Sequence, residues 1–147
     1  MTHPIGRYEV VGELGRGGMA TVHLARQLDL GRLVALKELQ LLDRADPSAA
    51  QRFLREARMA GSLSHPNIVT VYEYFEQGGT PYIAMEHVDG GSLRPQMAEH
   101  LSLAQIGGVL EGLLAGLAHA ERQGVVHRDV KPENVLVTTD GRIKITD

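Results

Sequence analysis

The chain has 147 residues, no cysteine, no tryptophan and a formal net charge of −3 at pH 7. Without cysteine there is no disulfide, thiolate zinc site or thiol nucleophile, which suits a reducing compartment such as the cytoplasm. With 4% aromatic residues and no basic excess, nothing global points to nucleic acid.

The first nine residues carry neither a basic region nor an apolar core, so they do not read as a secretory leader. From Arg7 to Glu86 the apolar residues favour strands. Segments 8–14, 21–25, 33–39, 68–75 and 82–85 are rich in β-branched and aromatic residues, and glycine-bearing turns separate several of them. Between the first two lies Leu14-Gly15-Arg16-Gly17-Gly18-Met19-Ala20-Thr21-Val22. Glycines let backbone N–H groups approach phosphate oxygens closely, although a tight glycine turn also serves any hairpin. A dinucleotide-binding fingerprint is disfavoured, because it must open a helix and here a strand pattern follows.

Val34-Ala35-Leu36-Lys37, in the third strand, closes an apolar run with a lysine. A lysine there is either an edge residue turned to water or one that needs a counter-charge. One helix interrupts the strands: Asp46 suits the N-cap, Pro47 the first helical position, and residues 51–63 keep helical spacing. Phe53, Ala57 and Ala60 share its apolar face, and Glu56 sits at the edge of that face. Taken alone, Glu56 reads as a solvated helix carboxylate; with Lys37 in view it is the natural partner.

The second half changes character and opens on a helix. Ser102 and Gln105 form a capping box ahead of Ile106, Val109, Leu110, Leu113, Leu114 and Leu117. Glycines within this helix each cost roughly 1 kcal/mol of propensity relative to Ala, so packing of the apolar stripe must offset them. Those glycines, with Glu111 and His119, make it a poor membrane span. The helix should stop at Gly124. Short strand-like pieces at 125–126, 135–137 and 142–145 follow, with a turn at 138–141.

The most specific segment is His127-Arg128-Asp129-Val130-Lys131-Pro132-Glu133-Asn134. A carboxylate, an ammonium and an amide crowd into one loop, and Pro132 forbids a regular helix through it. Such polar groups are expensive to hold together unless they serve a site.

In order along the chain, these residues resemble the eukaryotic-like protein kinase family, in its bacterial serine/threonine branch. The resemblance rests on Gly15-x-Gly17-x-x-Ala20-x-Val22, Val34-Ala35-Leu36-Lys37, Glu56, His127-Arg128-Asp129 through Asn134, and Asp147 at the place of the metal-binding Asp of Asp-Phe-Gly. It implies an α+β fold: a five-stranded antiparallel N-lobe sheet with one helix over residues 1–86, a hinge at 87–92, and the start of a helical C-lobe over 93–147. It also implies transfer of the γ-phosphoryl of Mg-ATP to Ser or Thr hydroxyls of protein substrates. Mn²⁺ is an alternative metal and a kinase homodimer an alternative assembly.

The roles that the resemblance implies are specific. Lys37 and Glu56 would pair to position the α- and β-phosphates. Asp129 would accept the substrate hydroxyl proton, and Lys131 would neutralise the transferred group. Asn134 and Asp147 would hold the metal through oxygen. Backbone from Gly15, Arg16, Gly17, Gly18, Met19 and Ala20 would cover the phosphates. Leu14, Val22 and Ala35 would form the roof of an adenine pocket and Leu136 its floor, with Met85 as gatekeeper. Glu86 and Val88 would read the adenine edge through backbone groups. Arg128 implies control by a phosphorylated activation loop.

Ala20 stands where the family pattern has a third glycine. No Phe-Gly or activation loop follows Asp147, so residues 1–147 alone are expected to be inactive. Kinases of this branch often continue into a linker and a membrane span. A small-molecule kinase of related fold and a catalytically silent scaffold are the competing readings. Lys131 argues against the first, and the intact Lys37, Glu56, Asp129, Asn134 and Asp147 argue against the second.

Overall fold

A computed structural model of the chain describes residues 3–17, 20–40, 46–126 and 130–146. It divides into two compact units, Met1–Gly61 with Val71–His87, and Ser62–Thr70 with Val88–Asp147.

The first unit is a six-stranded antiparallel sheet with one helix. The strands are β1 (His3–Ile5), β2 (Tyr8–Arg16), β3 (Ala20–Gln27), β4 (Arg32–Leu39), β5 (Val71–Gln77) and β6 (Thr80–Glu86), in spatial order β1-β2-β3-β4-β6-β5. Five of these match the expected strands. The sixth, β1, is too short for its pattern to register in sequence. It forms because Gly6, at φ 60°, lets the chain fold back so that Ile5 pairs with Tyr8.

Strand alternation gives this sheet two faces of different chemistry. Ile5, Tyr8, Val10, Ala25, Val34, Leu36, Tyr82 and Ala84 are buried together on one face, with Phe75 against them. Phe75 stacks between the rings of Tyr8 and Tyr82, at centroid distances of 5.5 and 5.2 Å. The Tyr8 hydroxyl donates to Glu73, and its own desolvation, followed by that bond, drives its pKa strongly upward.

The other face is met by helix α1 (Pro47–Gly61), which buries Ala49, Phe53 and Ala57. Phe53 lies 6.4 Å from the Tyr74 ring on β5. The helix begins where the sequence indicates: the Asp46 carboxylate accepts the Ser48 N–H at 2.9 Å, and Pro47 occupies the first turn.

The second unit pairs a hairpin with a long helix. Strands β7 (Val135–Val137) and β8 (Ile143–Ile145) are antiparallel. Helix α2 (Arg94–Met97) is one short turn, and α3 (Leu103–Arg122) opens on the Ser102–Gln105 capping box. Gln123 caps its end and Gly124 follows at φ 78°. Residues 125 and 126 are not strand.

The apolar stripe of α3 divides between packed and exposed residues. Gly112, Gly116 and Ala120 form the buried line. Val109, Leu113 and Leu117 are half-buried against Leu93, Val135, Val137, Ile143 and Ile145. Ile106, Leu110 and Leu114 are 41%, 53% and 68% exposed. Glycine lets the helix backbone approach β8: a Cβ on Gly112 would stand 2.6 Å from Ile143 Cγ1, and one on Gly116 would stand 2.9 Å from Ile145 Cδ1. By length and composition α3 is also sufficient to cross a membrane, contrary to the expectation from its glycines. Its small-residue face is nevertheless the one that meets β8.

Residues 62–70, which read as part of the first half, belong to the second unit. Asn67 is their anchor. Its side-chain amide donates to the Ile143 carbonyl at 3.0 Å, and its own carbonyl accepts the Ile145 N–H at 2.8 Å. The Val69 N–H donates to the Ile145 carbonyl at 2.9 Å.

Candidate nucleotide and catalytic site

In the first unit the strand register gathers several predicted residues. Gly15 pairs with Val22, Val22 with Lys37, and Lys37 with Ile83. One step along the same strands, Leu24 pairs with Ala35 and Ala35 with Met85. Cross-strand partners lie on one face and residues two apart share it. Val22, Ala35, Lys37 and Met85 therefore stand on the face opposite the Tyr8–Leu36 cluster. Ala35 and Met85 are buried, and Leu14 is 46% exposed.

Lys37 also meets its expected partner. Its Nζ lies 3.8 Å from Glu56 Oε2, and 5.9 Å from the centre of the Phe53 ring. Phe53 and Glu56 are on the same helix, three residues apart. The turn that buries Phe53 against the sheet thereby brings Glu56 to the lysine.

The glycine-rich turn closes between β2 and β3. Arg16 pairs with Thr21, and the Gly17 N–H donates to the Ala20 carbonyl at 2.9 Å. Arg16 is turned to Glu13, at 2.9 Å. Gly18 and Met19 lie outside the described residues. Glu86 pairs with Val34 at the end of β6, whereas Val88 is buried in the second unit.

In the second unit Lys131 is extended, at φ −150° and ψ 161°. Pro132–Asn134 then form a single 3₁₀ turn, closed by the Asn134 N–H to the Lys131 carbonyl at 2.8 Å. Proline excludes a longer helix here but suits the first position of such a turn. The Asn134 carbonyl accepts the Thr146 N–H at 2.9 Å. The hairpin β7–β8 thus joins the backbone of Asn134 to the residue before Asp147. Leu136 is half-buried on β7 and bridges to Ser92. Asp129 and Asp147, with His127 and Arg128, lie outside the described residues. Among the described residues no group of three or more His, Asp or Glu side chains forms a metal site.

Sequence reading missed two residues that shape these surroundings. Asn67 ties residues 62–70 to β8, and His65 supports it by accepting the Asn67 N–H on Nδ1 at 3.0 Å. Gln40 follows β4, and its amide donates to the Gly17 carbonyl at 2.9 Å and to the Ala20 carbonyl at 3.3 Å. Only His65-Pro66-Asn67, a turn-prone triplet, left any signal in sequence.

A family model described as protein kinase domain matches residues 8–147. A probable serine/threonine-protein kinase of Streptomyces coelicolor is 46% identical over 97% of this chain and 22% of its own length. Serine/threonine-protein kinase PrkC of Bacillus subtilis is 40% identical over 97% of this chain and 22% of its own length. Serine/threonine-protein kinase PknB of Mycobacterium leprae is 40% identical, covering 99% of this chain and 24% of its own. The chain spans less than a quarter of the length of these relatives. With the ordered motifs, the Lys37–Glu56 pair and a match running from Tyr8 to Asp147, the chain belongs to the protein kinase domain family.

Proposed function

We propose that the protein carrying this chain is a serine/threonine protein kinase that transfers the γ-phosphoryl group of ATP to hydroxyls of protein substrates in the cytoplasm. The observation that carries the reading is the Lys37–Glu56 pair, on the sheet face that also bears Val22, Ala35 and Met85. An ammonium held by a carboxylate at the edge of an apolar surface suits a ligand with an apolar ring and an anionic tail.

Lys37 would hold the α- and β-phosphates, and the backbone of residues 15–20 would cover them. Val22, Ala35, Leu14 and Leu136 would contact the adenine ring, with Met85 bounding its depth and backbone groups of Glu86 and Val88 reading its edge. Asp129 would orient the substrate hydroxyl and accept its proton, and Lys131 would offset charge on the transferred group.

A divalent cation fits the remaining donors. Asn134 and Asp147 offer oxygen only, which suits Mg²⁺ or Mn²⁺ better than a softer metal. The Thr146 N–H, one residue before Asp147, donates to the Asn134 carbonyl, which supports this reading. Bound there, the cation would neutralise phosphate charge and orient the triphosphate.

The test is phosphorylation of a protein substrate by the full-length protein and its Asp129→Asn variant. Loss of more than about a hundredfold in kcat, roughly 2.7 kcal/mol of barrier, is expected. Equal activity would reject the assignment of Asp129. ATP binding without transfer by wild type would favour a scaffold.

A further inference from the structure

Among its described residues the glycine-rich turn has few internal restraints. Gly15 has open space where a Cβ would stand, and a Cβ on Gly17 would meet only the Ala20 carbonyl oxygen, at 4.0 Å. The backbone bond from the Gly17 N–H to the Ala20 carbonyl closes the turn. Glycine loses more conformational freedom on ordering than any other residue. A turn of this composition therefore holds one geometry only when something outside it does the holding.

Gln40 supplies such a restraint. It follows Leu39, which pairs with Ala20 as the last residue of β4. Its Nε2 carries two N–H groups, and the two acceptors within reach are the Gly17 carbonyl at 2.9 Å and the Ala20 carbonyl at 3.3 Å. One side chain thus spans the mouth of the turn, from Gly17 to Ala20. It does so from just beyond the end of the strand that carries Lys37, three residues earlier. Because the peptide group is planar, fixing the direction of a carbonyl fixes the plane to which it belongs.

We infer that Gln40 is a positioning residue for triphosphate binding. Its amide locks the mouth of the glycine-rich turn to β4, so that turn and Lys37 present one preset surface to the phosphates. The inference rests on the nucleotide reading above. It extends that reading to a side chain that would touch no part of the nucleotide and acts through Gly17 and Ala20. Preset geometry saves ordering entropy on binding. The benefit falls on the phosphate-bearing part of the ligand and not on the nucleoside.

Gln40→Met tests this in the full-length protein, because methionine keeps the length and neutrality of glutamine and removes both donors. Gln40→Ala serves as a second variant. Two partly exposed hydrogen bonds, each of modest net strength, lead us to expect Kd and KM for ATP to rise roughly three- to tenfold in both variants. Adenosine affinity, KM for the protein substrate and Tm should stay at wild-type values.

Unchanged ATP affinity in both variants overturns the inference. So does a parallel loss of ATP and adenosine affinity with a lowered Tm, which would make Gln40 a general structural residue. Wild-type protein that binds no ATP would overturn the nucleotide reading itself, an outcome distinct from wild-type binding with indifferent variants.

Discussion

Lys37 and Glu56 meet from unequal environments: their charged groups are 3.8 Å apart, with the lysine side chain 14% exposed and the glutamate 63% exposed. The ammonium is held near the Phe53 ring above the interior strand β4, while the carboxylate keeps most of its water. With its carboxylate this open to solvent, the pair adds little to folding, within about 0–1 kcal/mol. Its value lies in where it holds the amine.

Function and stability should therefore separate at this pair. Lys37→Met is expected to lower kcat/KM for ATP by about a hundredfold or more, and Glu56→Gln by about tenfold. Tm should move by no more than about 2 °C in either. Steady-state kinetics beside thermal denaturation check this. A large fall in Tm with Lys37→Met would mean that the pair holds the sheet to α1.

The glycines of α3 should split into opposing classes. At Gly112 and Gly116 an added Cβ meets β8 at 2.6 and 2.9 Å, so Gly116→Val should destabilise by about 1–3 kcal/mol through overpacking. Gly108 has open space around that position, and Gly108→Ala should stabilise by about 0.5–1 kcal/mol through helix propensity. Urea denaturation of the two variants reads the sign directly.

Gly90 is a still tighter case. A Cβ there would stand 2.1 Å from the Val137 carbonyl oxygen, and backbone cannot swing aside as a flexible side chain can. Gly90→Ala should cost more than about 3 kcal/mol, reported as loss of soluble protein or a large drop in Tm. Gly91→Ala, at φ 75° but in open space, should cost less.

His65 gives the second unit a pH dependence. Burial holds its imidazole below the ordinary range, with help from the facing His119 and from Arg122. The folded pKa is depressed, so as pH falls through the unfolded value near 6.5 the unfolded chain takes up its proton first. Stability should decline on that side and stay flat above it. Protonation would also remove the Nδ1 acceptor that serves the Asn67 N–H. Tm measured from pH 7.5 to 5.5 should fall more steeply in wild type than in His65→Gln.

Much of the first unit was legible before any coordinates. Runs rich in β-branched and aromatic residues mark β2, β3, β4, β5 and β6 because such side chains pack well on a pleated surface. Asp46-Pro47 marks the start of α1 because an N-terminal helical turn needs an acceptor and tolerates proline. The capping box at Ser102 and Gln105 formed as its residue types require. What stayed illegible depends on distant partners. The chain from Ser62 to Thr70 resembles its neighbours in composition, yet Asn67 finds its hydrogen bonds on β8, at Ile143 and Ile145.

The sequence by itself determined the family, the order of the motifs and the residue types able to handle phosphate, because those depend on local chemistry and spacing. Tertiary structure decided that Lys37 and Glu56 meet, that the buried line of α3 runs through glycine instead of leucine, and that Gln40 spans the mouth of the turn. Each is a contact between residues well separated along the chain or a choice between two faces of one element. Periodicity ranks such faces by apolarity, and here close backbone approach outweighed apolar side-chain area.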